Sequence, residues 1–235
     1  MNSVHRFISE PEDCPYLPDR KWQLDYDIVN EMTLSEFSDL VRSGWRRFGF
    51  SLFRPQCPTC KECQPIRVPV ATFSPDRSLK RAAKGNQDLK VEIGQPSITR
   101  EIYSLYIRHH LSRSQSVGWR IPSPDSSLLH LSSLCEGPLR AQQWNFRLDG
   151  QLVAVCFVDV LDDGLSAVYS FYDPELESRS LGTFMILSLI ERARIDHLPM
   201  VYLGYFIEGC RSMRYKARFR PHEILGADGQ WYGAD

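Results

Sequence analysis

A mixed α/β fold is predicted by three observations on the 235-residue sequence. Gln143 to Leu148, Gln151 to Val160 and Leu165 to Tyr172 alternate or run apolar in the manner of strands. They are joined by Asp149-Gly150 and Asp162-Asp163-Gly164, turn chemistry that makes antiparallel hairpins. The stretch from Arg179 to Asp196 then places Leu181, Phe184, Met185, Leu187, Leu189 and Ile190 at helical spacing, and Val201-Tyr202-Leu203 follows as a short buried strand. A meander, a strong helix, a strand and a basic helix in that order predict an α+β mixed sheet.

The elements ahead of the meander are read in chain order. Thr33-Leu34-Ser35-Glu36 has the form of a capping box, and Leu34, Phe37, Leu40, Val41, Trp45 and Phe48 predict a first helix running through them. Arg54-Pro55 opens a Cys- and Pro-rich segment to Pro65. Because proline cannot donate to a ladder, Ile66-Arg67-Val68-Pro69-Val70 is expected to form only a short or edge strand. Asp76 caps a second helix, Leu89 to Ile93 is a strand, and Ser97 caps a helix to about Ser112 that buries Ile98, Ile102, Leu105 and Tyr106. On that helix His109 and His110 predict one packed and one exposed ring. Residues from Val117 to Pro124 turn irregular, and the Ser-rich segment to Arg140 reads as a mobile connection. The order of elements suits an acyltransferase-like fold of the GNAT type. It divides the chain into a Cys-containing region over 1–120 that has room for a degenerate second GNAT-like half, an irregular connection over 121–140, and a GNAT-like catalytic half over 141–235.

Composition narrows the classes. With 43% hydrophobic and 24% charged residues the chain can bury a substantial core. No run between Met1 and Pro18 is apolar enough for a signal peptide, and none elsewhere approaches a spanning helix, so a cytoplasmic protein without a membrane partner is expected. Seven cysteines without an export signal argue against a disulfide framework. A net charge of −1 excludes a uniformly basic coat. The charge is uneven, however: Arg77, Lys80, Arg81 and Lys84 form one basic cluster, and Arg211, Arg214, Lys216, Arg218 and Arg220 form another.

Five motifs carry chemistry. Cys57, Cys60 and Cys63 form a C-x2-C-x2-C run, spacing that closes a tight turn around zinc or an iron-sulfur cluster, and Cys14 in its Pro-flanked turn is the candidate fourth ligand. Cys135, Cys156 and Cys210 read as packing residues. Arg77, Lys80, Arg81 and Lys84 share one helix face at i, i+3, i+4 and i+7 without acidic i+4 partners, which suits phosphate contact. Around Tyr215 and Lys216 aromatic and basic residues mix, as stacking on a single-stranded RNA end requires. Arg179, Ser180 and Gly182 stand at a helix entry where free N–H groups can hold a phosphate. The fuller Gly-rich loop for coenzyme A is missing there, so coenzyme A is not expected. The run Tyr169-Ser170-Phe171-Tyr172-Asp173-Pro174 alternates two faces of a strand, with Asp173 at its end. No nucleophile elbow, HExxH or Cys/His pair is present.

The sequence resembles the N-end rule aminoacyl-tRNA–protein transferase family, and within it the bacterial aspartate/glutamate leucyltransferase branch. The matching stretches span nearly the whole chain in order. They include Cys14-Pro15-Tyr16-Leu17-Pro18, Gly44-Trp45-Arg46-Arg47-Phe48-Gly49, the Cys run continued into Pro65-Ile66-Arg67-Val68-Pro69-Val70, and Phe73-Ser74-Pro75-Asp76-Arg77-Ser78. Further on they include the run from Asp163 to Pro174, Arg179-Ser180-Leu181-Gly182, Tyr202-Leu203-Gly204-Tyr205 and Met213 to Pro221. The resemblance implies leucyl-tRNA as donor and a protein beginning with Asp or Glu as acceptor, with arginyl-tRNA as the alternative donor. Tyr169, Tyr172 and Asp173 are then candidates for the acceptor amine and ester region, Arg211 and Lys216 for the acceptor's acidic side chain, and Tyr215 for a further substrate contact. Two other readings stand beside it: a coenzyme A-dependent N-acyltransferase and a non-catalytic RNA-binding module.

Overall fold

The computed structural model describes residues 1–139 and 141–234; positions 140 and 235, which end the expected connection and the expected catalytic half, lie outside them. The chain opens with β1 (Asn2–Ile8), the small pair β2 (Glu12–Asp13) and β3 (Lys21–Trp22), and β4 (Leu24–Glu31). Helix α1 (Leu34–Arg42) starts on the expected capping box, with Thr33 accepting from the Glu36 N–H and Glu36 reaching back to the Thr33 N–H. It is shorter than the periodicity predicts. Gly44 adopts φ +89° after the Ser43 cap, which reverses the chain and hands Trp45 to the turn and Phe48 to β5 (Arg46–Phe48). Strand β6 (Ser51–Pro55) completes a four-stranded sheet in the order β1-β4-β6-β5.

Then come β7 (Gln64–Pro69), α2 (Arg77–Lys84), β8 (Lys90–Gly94), α3 (Arg100–Val117), α4 (Pro124–Cys135), β9 (Ala141–Leu148), β10 (Gln151–Val160), β11 (Gly164–Tyr172), a 3-10 turn (Pro174–Arg179), α5 (Leu181–Ile195), β12 (Met200–Phe206), a second 3-10 turn (Arg214–Arg218), β13 (His222–Leu225) and β14 (Trp231–Ala234). Eight of these strands form one sheet in the order β14-β13-β7-β12-β11-β10-β9-β8, antiparallel throughout except for β11 beside β12. The mixed sheet is as expected, and the hairpins β9-β10 and β10-β11 pair as the turn chemistry requires.

Three expectations are corrected. Strand β7 is internal rather than at an edge, held between β13 and β12. Its prolines, Pro65 and Pro69, flank the only two positions that pair with β13, Ile66 and Arg67, so the missing N–H groups fall outside that ladder. The cap of α3 is Thr99, whose hydroxyl accepts from the Ile102 N–H; Ile98 precedes the helix and is exposed, and the helix continues past Ser112 to Val117. The segment expected to be irregular forms α4, started by the Ser123 hydroxyl and by Pro124 in the first turn, a proline position that fits a helix entry as well as a loop.

Strand β10 shows how the layers form. Val153, Cys156 and Val158 pack with α2 and α5 on one face of the sheet, whereas Leu152, Val155 and Phe157 pack with α3 and α4 on the other. A third cluster, Phe37, Val41, Trp45, Leu52 and Tyr202, seals the four-stranded sheet and α1 against one end of the large sheet.

Candidate active site

The site arises where two parallel strands separate. Strands β11 and β12 pair only from Gly164↔Met200 to Ser166↔Tyr202. At the closed end the backbones approach so nearly that a Cβ on Gly164 would stand 2.3 Å from the Met200 carbonyl oxygen, so only glycine fits. Beyond Ser166 the strands diverge into a wedge. Along β11 the pairing with β10 steps from Val158↔Ala167 to Phe157↔Tyr169, which leaves Val168 as a bulge residue. Along β12 the pairing with β7 skips from Tyr202 to Tyr205. The wedge opens into a cleft of about 2090 Å³ bordered by both strands, the start of α5, the second 3-10 turn, α3 and α4, and the N-terminal loop around Cys14 and Tyr16.

Backbone groups released by the divergence must find other partners. The Gly204 carbonyl accepts from Arg46 Nη2 at 3.2 Å and the Tyr205 carbonyl from Lys216 Nζ at 2.6 Å. Lys216 is only partly covered by surface measure but sits deep in the molecule. Burial, with the Arg46 guanidinium nearby, draws its ammonium down to about 7. Tyr215 lines the same cleft while partly exposed, and partial desolvation within the cleft shifts its phenol upward.

The opposite wall is aromatic. Tyr169 Oη lies 2.9 Å from His110 Nε2, with the His130 ring 4.8 Å away between centroids, and burial raises the phenol. His109 Nδ1 lies 3.0 Å from the Tyr172 carbonyl oxygen, and its ring meets the Tyr172 ring edge-on at 4.8 Å. Both adjacent histidines are buried, at 5% and 8% exposed, so the expectation of one packed and one exposed ring is corrected: α3 lies flat on β11 and turns both inward. Burial brings His109 and His130 down to about 4, which keeps this wall uncharged near neutral pH.

The predicted residues divide into groups. Tyr169, Tyr172, Ser180, Gly182, Arg211, Tyr215, Lys216 and Cys14 border the cleft. Gly182 lies in the first turn of α5 against Tyr172, where an added Cβ would meet the ring at 3.4 Å, an ordinary contact. Ser180 precedes the helix in a left-handed conformation without capping it by its side chain, so the α5 N-terminus opens on the cleft. Asp173 does not border it. One of its oxygens caps the first 3-10 turn through the Glu175 N–H at 3.1 Å, and the other pairs with Arg108 at 3.0 Å. Arg179 also points away, held by Asp88 at 2.7 Å and 2.8 Å.

Arg77, Lys80, Arg81 and Lys84 are exposed along α2. Among the described residues no carboxylate pairs with them, because the nearby Asp88 is occupied by Arg179. The helix does not line the cleft itself but is fastened to elements that do, by Arg218 of the second 3-10 turn to Ser78 at 2.7 Å and by Asn86 to the Arg179 carbonyl, just before α5, at 2.8 Å. Cys57, Cys60 and Cys63 lie between β6 and β7. Burial raises Cys63 to about 12, with smaller contributions from Cys57, Cys14, Cys60 and Cys210. Among the described residues no three His, Cys, Asp or Glu side chains are already arranged around one ion site. Arg46 and His130 carry no sign of the site in the sequence, because Gly204 and Tyr169 reach them from distant segments; Arg113 of α3 and Trp119 just past its end, which meet each other, lie in a run with no motif of its own.

A large mixed sheet whose one parallel pair splays beside a helix N-terminus defines a GNAT-like acyltransferase fold. The structure of L-PGS from Bacillus licheniformis has this fold, with a TM-score of 0.51 and 14% identity over 83% of this chain and 61% of that protein. The chain belongs to the arginine-tRNA-protein transferase family: residues 12–81 match its N terminus and residues 101–226 its C terminus. It is similar at 40% identity to the aspartate/glutamate leucyltransferase of Marinobacter nauticus, over 96% of this chain and 94% of that protein. Its similarity to the protein of the same name from Pseudomonas fluorescens strain SBW25 is 42% identity, over 93% and 92%.

Proposed function

We propose that this protein moves leucine from leucyl-tRNA to the N-terminal amine of proteins beginning with Asp or Glu, the modification that feeds N-end rule degradation in the cytoplasm. The observation that carries the reading is the splayed cleft, which combines a helix N-terminus, a neighbouring basic helix and cations in the interior, in a chain so similar to relatives bearing that name. The chemistry needs no side-chain nucleophile. The acceptor amine attacks the carbonyl carbon of the leucyl ester, a C–N bond forms, the ester C–O bond breaks, and the amine proton ends on the departing ribose oxygen. The products are an extended protein and free tRNA. The ester is already activated, and an α-amine with a pKa near ~8 is partly neutral in the cell. Alignment in a closed cleft is worth about 7 kcal/mol or more of barrier. The α5 N-terminus and the α2 face suit the phosphates of the donor, and Tyr169 and Tyr172 border the place where amine and ester meet.

A transfer assay tests this. Labelled leucine should pass from leucyl-tRNA to peptides beginning with Asp or Glu and not to those beginning with Lys or Ala. Transfer from arginyl-tRNA instead would replace the donor, and transfer from neither would overturn the reading.

The thiols of Cys14, Cys57, Cys60 and Cys63, we also propose, hold zinc or an iron-sulfur cluster. What supports this is the chemistry of the segment: Cys57 is buried and Cys63 half-buried, with the other thiols acting to raise Cys63, and a bound thiophilic cation would relieve the cost of ionising them. The group would brace the loop between β6 and β7 and takes no part in the transfer step. Elemental analysis should find metal in the parent protein and less in Cys60→Ser; a metal-free, fully folded parent sinks the assignment.

A further inference from the structure

Arg46 is 8% exposed and borders the cleft, yet among the described residues no carboxylate forms an ion pair with it, and Asp159 acts on it only at a distance. Its Nη1 donates to the Val41 and Trp45 carbonyls at 3.3 Å and 2.7 Å, its Nη2 to the Gly204 carbonyl, and its guanidinium lies over the Tyr205 ring at 5.3 Å. Its Nε is buried with no partner. Lys216 is beside it: a Cβ built on Gly204 would stand 3.8 Å from Lys216 Nζ and 3.9 Å from Arg46 Nε. The acidic side chains bordering the cleft do not serve this pair. Asp159 is held by Arg47 at 2.7 Å, and Asp13 by Lys21 at 2.6 Å. Glu12 is exposed on β2, and Glu177 lies in the first 3-10 turn beyond the far end of β11.

Two neighbouring cations in a recess, one with an unsatisfied buried N–H, are costly unless an anion completes them. Arg113, which also has a buried Nε without a partner, differs in being only partly covered and stacked on Trp119, so it can turn toward water. Arg46 is fixed by three carbonyls and cannot.

We propose that Arg46 and Lys216 form the pocket for the acidic side chain of the acceptor's first residue, with Arg46 the specificity-determining cation. The inference rests on the transferase reading above. The pair stands on the β12 arm of the wedge, whereas free helix N–H groups and the α2 cations serve phosphates on the β11–α5 side. The recess therefore takes a carboxylate rather than the nucleic-acid backbone. A carboxylate oxygen accepting from Arg46 Nε and the other meeting Lys216 Nζ would satisfy both cations at once. Uncharged Asn and Gln would leave them unpaired, which is how a site rejects a near-isostere strongly.

The test measures kcat/KM at saturating leucyl-tRNA for two peptides that differ only in Asp or Asn at the first position. Arg46→Gln should lower the Asp-to-Asn ratio about 30-fold or more and Lys216→Met about 10-fold, both through KM for the Asp peptide. The Kd for leucyl-tRNA should stay within about 3-fold of the parent value, since phosphate contacts lie elsewhere. If Arg46→Gln does not fold, Lys216→Met carries the test, because among the described residues the Lys216 side chain makes one hydrogen bond, to the Tyr205 carbonyl, and its backbone bonds survive the substitution. An unchanged ratio in folded variants, or a loss confined to tRNA affinity, overturns the pocket and leaves the transferase reading intact. A parent that transfers from neither tRNA overturns both.

Discussion

Arg46 and Arg47 are adjacent in sequence and both buried, yet they manage a buried charge in opposite ways. Arg47 meets the Asp159 carboxylate through Nε and Nη2 and donates Nη1 to the Glu136 carbonyl at 2.6 Å, which is complete internal satisfaction and a structural bond between β5 and β10. Arg46 is left with a buried Nε that has no hydrogen-bond partner among the described residues. The same contrast separates Arg179, absorbed by Asp88, from the four cations of α2, which border solvent without such a partner. If those four meet tRNA phosphates, each should contribute one counterion's worth of salt dependence. Replacing Arg77, Lys80, Arg81 or Lys84 singly by Gln should reduce the magnitude of the slope of log Kd against log salt by about 0.7 to 0.9, with little change in acceptor KM. Equal slopes for parent and variants, read by filter binding of leucyl-tRNA across a salt series, would remove α2 from the interface.

At the scale of elements, legibility tracked how local the determinants are. The Thr33 and Asp76 caps, the two tight turns of the meander and the apolar stripe of α5 are each written within a few residues, and each appears where the sequence places it. Strand β7 was misplaced because its internal position is set by β13, over 150 residues downstream, and no proline rule can see a partner that distant. Helix α4 was missed because its Ser and Pro residues suit loops and helix starts equally, and what decides between them is Leu131 and Leu134 packing against β10 and β11. The candidate site was half legible for the same reason. Tyr169, Tyr172, Tyr215 and Lys216 lie in distinctive local runs, but Asp173 carried no sign that Arg108 and a 3-10 turn would claim it. His130 carried no sign that α4 would bring it against Tyr169.

For the whole molecule, the two walls of the cleft bias stability in one direction with pH. His109 and His130 have folded values of about 4, below the ~6.5 of an unfolded chain, so between these values the unfolded state binds more protons and stability falls as pH drops. Lys216, at about 7 when folded against about 10.4 unfolded, acts with the same sign in a higher window: the folded state is penalised below pH 7 and relieved as pH rises toward 10. The melting temperature of the free protein should therefore climb from pH 5 to about 8.5, with each histidine costing up to about 2 kcal/mol at the acid end. His130→Phe should flatten the acid half of that profile and Lys216→Met the alkaline half. Binding of an acidic acceptor works against the second trend. A carboxylate beside Lys216 stabilises the ammonium, so binding takes up a proton above pH 7, and the ratio of KM for an Asp peptide to KM for an Asn peptide should rise with pH there by up to about tenfold per unit, the acceptor α-amine titrating alike in both. Thermal melts and acceptor KM measured on the same pH series check both halves of the argument. A melting temperature that falls between pH 7 and 8.5, or Asp and Asn peptides that share one KM profile, would show that Lys216 keeps its charge in the free cleft and that the recess is not waiting for an anion.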